Sequence, residues 1–199
     1  MGWLSRTLAP VVLCSTPVCG ALAADRCAEV AGRVAAVEEQ VEVASGGGWD
    51  VVGVGEVLRA GGGGRGAVIL ESGAVLRLDR GTTLRIERES ADGSTLLRLL
   101  SGVASFFSRR PHALEVDTPF ANAAVEGTEF AVAVDPDRAR VTVLEGRVRF
   151  SNPQGAVGVN AGSSAVALAG KAPEIELSVR PRDAVRWALY YPPLEHTAG

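Results

Sequence analysis

Residues 67–86 decide the fold class of this chain, with the sequence AVILESGAVLRLDRGTTLRI. Apolar residues recur two apart in this stretch, and Glu71-Ser-Gly73 and Asp79-Arg-Gly81 interrupt the recurrence. Alternation with a period of two is typical of half-buried strands, and short glycine-containing breaks are typical of tight turns. The stretch therefore predicts a meander of three short strands, with leucine and isoleucine side chains on one face and arginines on the other.

The same alternation continues on both sides of this stretch and predicts about a dozen strands spaced about ten residues apart. The composition agrees, because 24 glycines and only 5 % aromatic residues favour short strands and tight turns. The breaks between strands include Ser101-Gly102 and also Glu145-Gly146, which we interpret as a turn. The chain is predicted to be all-β, as a sandwich, a barrel or a β-solenoid, with a short C-terminal helix.

The first 24 residues have the features of a secretory signal peptide. Arg6 provides a positive charge, residues 7–22 are mostly apolar, and Ala21-Leu-Ala23 is a small-x-small cleavage pattern. The alternative is an uncleaved membrane anchor, although the apolar run is short for a spanning helix. No cysteine follows the pattern that lipidation requires. We expect residues 1–24 to be removed, which leaves a periplasmic or secreted protein without a transmembrane segment.

The charge balance excludes a dedicated nucleic-acid binder, which needs a basic surface. The chain has 20 basic and 23 acidic residues, and removal of residues 1–24 takes away Arg6 alone, leaving 19 basic against 23 acidic residues. The same cleavage removes Cys14 and Cys19, so that Cys27 remains. A single cysteine cannot form an intrachain disulfide, and Cys27 is therefore either a free thiol or a bridge to another chain.

Motifs for catalysis and metal binding are sparse. The two histidines are His112 and His196, and neither a Gly-x-Ser-x-Gly motif nor a Ser-His-Asp order accompanies them. The glycines of residues 61–66 lack the Lys-Ser/Thr of a phosphate-binding loop. Asp135-Pro-Asp137 is interpreted as a hairpin turn rather than a calcium site. We therefore predict no enzymatic activity, no metal and no cofactor.

The C-terminal tail has helical features. Pro181 and Asp183 are typical helix-start residues, Val185 and Ala188 follow at helical spacing, and Pro192-Pro193 ends the segment. A helix this short is marginal alone and needs a surface, either on its own domain or on a neighbouring protein. Its aromatic residues are the candidate docking residues: Trp187, Tyr190 and Tyr191.

Several stretches of the chain, taken in order, resemble the FecR domain family. Residues 54–59 resemble the entry strand of the family, with Glu56 in place of the usual aspartate. The strongest likeness is the pattern Val-x-Thr-Pro followed by Val-x-Gly-Thr-x-Phe-x-Val and then by Glu-Gly-x-Val. The residues that carry this signature are Thr118, Pro119, Gly127, Thr128, Phe130, Glu145 and Gly146.

Part of the signature also has a plain physical interpretation. Gly127 permits a bend or a bulge, the Thr128 hydroxyl can bond to the local backbone, and Phe130 buries the largest side chain of the region. These are structural roles, and we favour them over contact with a ligand.

The resemblance implies a division of the chain. The expected parts are a signal peptide (1–24), an N-terminal β extension (25–54), the FecR-type domain (55–169), and a linker with the aromatic helix (170–199). In the family, FecR domains joined to a transmembrane helix and a cytoplasmic segment act as anti-sigma regulators, and this chain resembles their sensory half. Its tail also resembles that of exported proteins in which a FecR domain precedes TPR repeats.

We therefore expect an interaction, sensory or scaffold module of the bacterial envelope. The expected partner is another envelope protein, of which a TPR-repeat protein is one option, and no nucleic acid. The alternative function is a carbohydrate- or cell-wall-binding β module. The scarcity of aromatic residues in the β region disfavours that alternative.

Overall fold

The computed structural model of the chain describes residues 30–38, 41–43, 51–89, 94–109, 111–176 and 181–190. The predicted signal peptide, Cys27, Tyr191 and His196 lie outside these residues. Within them, no helix is long and apolar enough to cross a membrane.

Fourteen β-strands and one 3-10 helix make up the described part of the chain. The strands are β1 (Val30–Glu38), β2 (Val41–Val43), β3 (Val51–Gly53), β4 (Val57–Ala60), β5 (Arg65–Leu70), β6 (Val75–Leu78), β7 (Thr83–Glu89), β8 (Thr95–Phe107), β9 (Pro111–Asp117), β10 (Asn122–Val134), β11 (Arg138–Asn152), β12 (Gly155–Asn160), β13 (Ser164–Leu168) and β14 (Glu174–Glu176). The C-terminal helix spans Pro181–Tyr190. All the strands are hydrogen-bonded into one sheet, which confirms the predicted all-β class.

The sheet folds over on itself into two layers that share three long strands. The first layer has the order β3-β1-β5-β6-β8-β10-β11-β13-β14, and the second has the order β2-β4-β7-β8-β9-β10-β11-β12. β8, β10 and β11 contribute one half to each layer. In β8, residues 102–107 pair with β10 in the first layer and residues 95–101 pair with β7 in the second. Paired strands run antiparallel, except that β8 and β9 are parallel.

The predicted strand break at Ser101-Gly102 and the predicted turn at Glu145-Gly146 are wrong, because these residues lie inside β8 and β11. The glycines at these points have φ angles of 87° and 78°. Glycine adopts a positive φ readily, so it can bend a strand without ending it. β10 also passes from one layer to the other near Gly127, where its register with β11 shifts, at the residue for which a bend or a bulge was predicted. These bends carry the three shared strands from one layer into the other.

One hydrophobic core lies between the layers. Leu76 and Leu78 enter it from β6 in the first layer, while Leu84 and Ile86 enter it from β7 in the second, and all four are fully buried. The predicted pairing of these two consecutive strands is wrong, since β6 pairs with β5 and β8 whereas β7 pairs with β4 and β8. The two strands face each other across the core instead.

The residues expected to form an N-terminal β extension supply β1, β2 and β3 to the same sheet. β1 pairs with β3 and β5, and β2 pairs with β4. Ala31, Val41 and Val52 lie in the common core. At the other end of the chain, β14 pairs with β13. The first three strands therefore share their core with the strands of residues 55–169.

Candidate interaction site

A row of small side chains crosses the outer face of the first layer. Ser105, Ala131, Thr142 and Ser164 lie directly opposite one another on β8, β10, β11 and β13. Their neighbours along each strand point into the core, so these four point away from it. All four are nevertheless buried. The row, called the small-residue trough below, is shallow because none of its side chains is larger than threonine.

The C-terminal helix lies on this trough. Val185 and Ala188 are buried against Ala131, and Leu144 and Trp187 pack at the edge of the contact. Small side chains on the sheet let the helix come close to it. The structure thus confirms the predicted helix and shows that the surface it docks on belongs to its own domain.

Two arginines of the sheet hold the C-terminal half of the helix. Arg77 Nη1 donates a hydrogen bond to the Ala188 carbonyl oxygen at 3.1 Å. This contact places a cation at the negative end of the helix, where it is stabilising. The Arg65 guanidinium lies 6.0 Å from the centroid of the Trp187 ring. Arg65 is itself oriented by Asp79, whose carboxylate accepts a hydrogen bond from Arg65 Nε at 2.8 Å.

The structure describes two of the three predicted docking residues, Trp187 and Tyr190, and both belong to the C-terminal helix. Trp187 is half-buried, and its Nε1 donates a hydrogen bond to the Ala184 carbonyl oxygen at 3.1 Å. Tyr190 is the last residue of the helix, and Tyr191 lies outside the described residues. Trp187 therefore has an intramolecular role, whereas binding of another protein by these aromatic residues stays a prediction.

A cavity of about 330 Å³ opens beside the helix on the same face of the sheet. Val75, Phe107 and Glu129 form one side of it as directly opposed residues of β6, β8 and β10. Arg77 and Ser105, which are also opposed in register, form the other side. Sequence reasoning missed this cavity, because only the pairing of the three strands brings its residues together. The one signal in the sequence is the variable position in Gly-Thr-x-Phe, which Glu129 occupies.

Thr118 and Pro119 of the signature belong to the turn between β9 and β10. The Thr118 hydroxyl donates a hydrogen bond to the Ala121 carbonyl oxygen at 2.6 Å. It accepts hydrogen bonds from the amides of Phe120 at 3.3 Å and Ala121 at 3.0 Å. Thr118 is buried and Pro119 is exposed. One buried hydroxyl therefore closes this turn, which is a structural role.

Thr128 and Phe130 continue the signature on β10. Phe130 is fully buried, and its ring stacks on Phe106 with 4.9 Å between centroids, which confirms the predicted core role. The Thr128 hydroxyl is buried without a hydrogen-bond partner among the described residues, so its predicted bond to the local backbone is wrong. The Thr128 carbonyl oxygen accepts a hydrogen bond from the Ser108 amide at 3.0 Å, just after the end of β8.

Glu145 and Gly146 mark the bend of β11. The Gly146 carbonyl oxygen accepts a hydrogen bond from the Ala161 amide at 3.1 Å, which ties the bend to the turn between β12 and β13. Glu145 is exposed and lies directly opposite Glu129 of β10. Two acidic residues are therefore backbone partners at the bend, and one of them, Glu129, also lines the cavity.

The segment Asp135-Pro-Asp137 forms the hairpin turn between β10 and β11, as predicted. Arg138 donates hydrogen bonds to both carboxylate oxygens of Asp137, at 3.0 Å and 2.9 Å. These hydrogen bonds hold the pKa of the Asp137 carboxyl below its usual value. Within the part of the chain that the structure describes, no three histidine, cysteine or acidic side chains are grouped as metal ligands.

Comparison with known proteins gives one matching family and solved structures of similar fold. A family described as "FecR protein" matches residues 56–149. Two crystal structures of a proposed anti-sigma factor from Parabacteroides distasonis ATCC 8503 are similar in fold, with TM-scores of 0.59 and 0.57 and 20 % sequence identity in each case. The similar regions cover 66 % and 65 % of this chain but only 64 % and 63 % of those structures. No curated protein matches the sequence.

Proposed function

We propose that this chain, whose residues 56–149 match the FecR protein family, is an exported regulatory module that binds another protein of the bacterial envelope. The family match supports a regulatory role rather than a catalytic one. The apolar run and the cleavage pattern of residues 1–24 support export.

The small-residue trough is the observation that carries the binding role. A sheet face that points away from the core is usually left to solvent, but here a helix covers it. Recognition of an amphipathic helix by a groove is a common mode of protein interaction. The first layer thus has a surface of the kind that receives a helix, and the chain itself supplies one occupant.

Among the described side chains of the helix, only Val185 and Ala188 are buried on the trough. Val185 is its largest fully buried side chain in the described contact, and burial of one valine contributes about 1.5–3 kcal/mol. That amount is comparable with the cost of ordering the backbone of about two residues. The hydrogen bonds of a 3-10 helix also have poorer geometry than those of an α-helix. A partner that contacts the docked helix, or that takes its place, can therefore shift the balance between the docked and released forms.

The binding role is tested by capture from envelope extracts with the purified protein as bait. We expect one defined protein to be captured by the wild type and lost with Trp187→Ala. Arg186→Ala is the matched control, because Arg186 is exposed on the same helix and leaves the buried contact intact. Retention on peptidoglycan without any captured protein would contradict the proposal and favour a cell-wall-binding module.

Export is tested separately by cell fractionation and by sequencing the N-terminus of the mature protein. We expect the protein outside the cytoplasm, beginning at Ala24 or Asp25. A cytoplasmic protein that retains Met1 would refute export and leave the binding role untouched.

A further inference from the structure

We propose that the cavity beside the C-terminal helix binds a basic side chain of the partner, a lysine or an arginine. The apolar stem of that basic side chain would pack on Val75 and Phe107, and its charged group would pair with the Glu129 carboxylate. The inference rests on the proposed function and specifies the chemistry of one contact in it.

The apolar side of the cavity suits a methylene stem. Val75 and Phe107 lie directly opposite each other on β6 and β8, and both remain partly exposed on the outer face. Long basic side chains commonly bury their stems on such a surface while the charged head reaches a polar group. In this cavity the polar group next in register is Glu129, which lies opposite Phe107.

The charge of Glu129 is uncompensated within the described part of the chain. No ion pair or hydrogen bond joins its carboxylate to another described side chain. Glu145, its backbone partner on β11, also has no ion pair or hydrogen bond with another described side chain. Two negative charges on neighbouring strands repel each other. A cation bound from outside the chain would reduce this repulsion and would therefore be stabilised at this site.

The cations near the cavity already have other contacts. Arg77 donates to the Ala188 carbonyl oxygen at 3.1 Å. Arg109 lies over the Phe107 ring, 5.4 Å from its centroid. Neither comes within ion-pair distance of Glu129. A cationic ligand therefore fits the cavity better than an anionic one, although both charge types occur in its surroundings.

A second acceptor lines the cavity on β8, two residues from Phe107, the backbone partner of Glu129. Ser105 is 6 % exposed, and its hydroxyl forms no hydrogen bond with the described residues. An ammonium or guanidinium group carries several donors, so it can bond to this hydroxyl and to the Glu129 carboxylate together. The cavity thus combines an apolar side with a hydroxyl and a carboxylate that have no partner among the described residues.

The test is an NMR titration of the isotope-labelled protein with the blocked tripeptide Val-Lys-Val and with the same peptide carrying norleucine, which keeps the stem and lacks the charge. We expect the lysine peptide to shift the amides of Ser105, Phe107 and Glu129 and to bind about fivefold more tightly than the norleucine peptide. Glu129→Gln should abolish this preference. Glu174→Gln, a loss of the same charge at an exposed residue of β14, should keep it.

Equal binding of the two peptides, or a lysine preference that persists in Glu129→Gln, would overturn the proposal. An increase in affinity above fivefold in Tyr191→Ala would do so as well, because it would identify the chain's own tail as the occupant. Dimerisation that Glu129→Gln abolishes would identify a second copy instead. If a partner is captured by the wild type and by Glu129→Gln alike while no lysine preference exists, this contact is wrong and the proposed function stands.

Discussion

Replacement of Gly102 by alanine should destabilise the protein strongly, because this glycine bends β8 against another part of the backbone. Gly102 has a φ of 87°. A Cβ atom at this position would lie 2.5 Å from Thr82 Cα and 2.6 Å from Thr82 Oγ1. The Thr82 hydroxyl donates to the Val103 carbonyl oxygen at 2.9 Å and accepts from the Val103 amide at 3.0 Å. The added methyl group would therefore strain the bend and displace the side chain that secures it.

The magnitude follows from three costs. An L-residue in the left-handed region costs about 1–2 kcal/mol. Forcing a methyl group into a filled site costs about 1–3 kcal/mol. Disturbing the hydrogen bonds of a buried hydroxyl costs about 1–3 kcal/mol. Because these costs overlap, we expect a loss of about 3–6 kcal/mol in the free energy of unfolding. In a protein of this size, that loss lowers Tm by about 10–20 °C.

Gly73→Ala is the matched control for this prediction. Gly73 has a similar φ of 81°, but a Cβ atom there would meet nothing within 4 Å. Only the backbone cost of about 1–2 kcal/mol should remain. Urea unfolding followed by circular dichroism measures both variants. Equal losses in the two, within about 0.5 kcal/mol, would refute the argument that contact with Thr82 makes Gly102 special.

Three further predictions use the same unfolding measurement. Thr118→Val should cost about 1–3 kcal/mol, because it leaves turn amides and a carbonyl without their buried partner; Thr118→Ser should restore most of the loss, and an unchanged valine variant would disprove the role of the hydroxyl. Phe130→Ala should cost about 3–5 kcal/mol through the cavity left beside Phe106, and a loss below about 1 kcal/mol would contradict the packing described. Arg140→Ala should cost less than about 1 kcal/mol, since its pair with Glu176 is exposed; a larger loss would reveal a role beyond this ion pair.

The strand pattern was predictable from the sequence, whereas the path of the chain was not. Alternation identifies which side chains are buried, so Leu76 and Leu84 were correctly expected to share the protected side. It does not identify the neighbour of each strand, and β6 and β7 oppose each other across the core. Ser101-Gly102 shows a second limit. A polar residue followed by glycine at positive φ is typical of a turn, but it also suits a bend inside a long strand.

The candidate site was predictable only in part, for a related reason. Proline, helical spacing and clustered aromatic residues are enough to indicate the C-terminal helix from the sequence alone. The trough beneath it leaves no such signal, because Ser105, Ala131 and Thr142 are common residues that become a surface only through their register. Glu129 is likewise one variable letter within a signature. The sequence does not show that Glu129 is the backbone partner of another acidic residue, Glu145 of β11.

The three strands that belong to both layers have a consequence for how the protein opens. In a sandwich of independent sheets, one sheet can loosen while the other stays intact. Here β8, β10 and β11 are continuous through both layers. The two layers can therefore separate only if these strands lose their hydrogen bonds in one layer while they remain paired in the other. Amide hydrogen exchange should therefore report one slow, shared opening for the central halves of both layers, while β14 and the C-terminal helix exchange earlier through local fraying. The helix can therefore be released while the strands that form the small-residue trough stay paired.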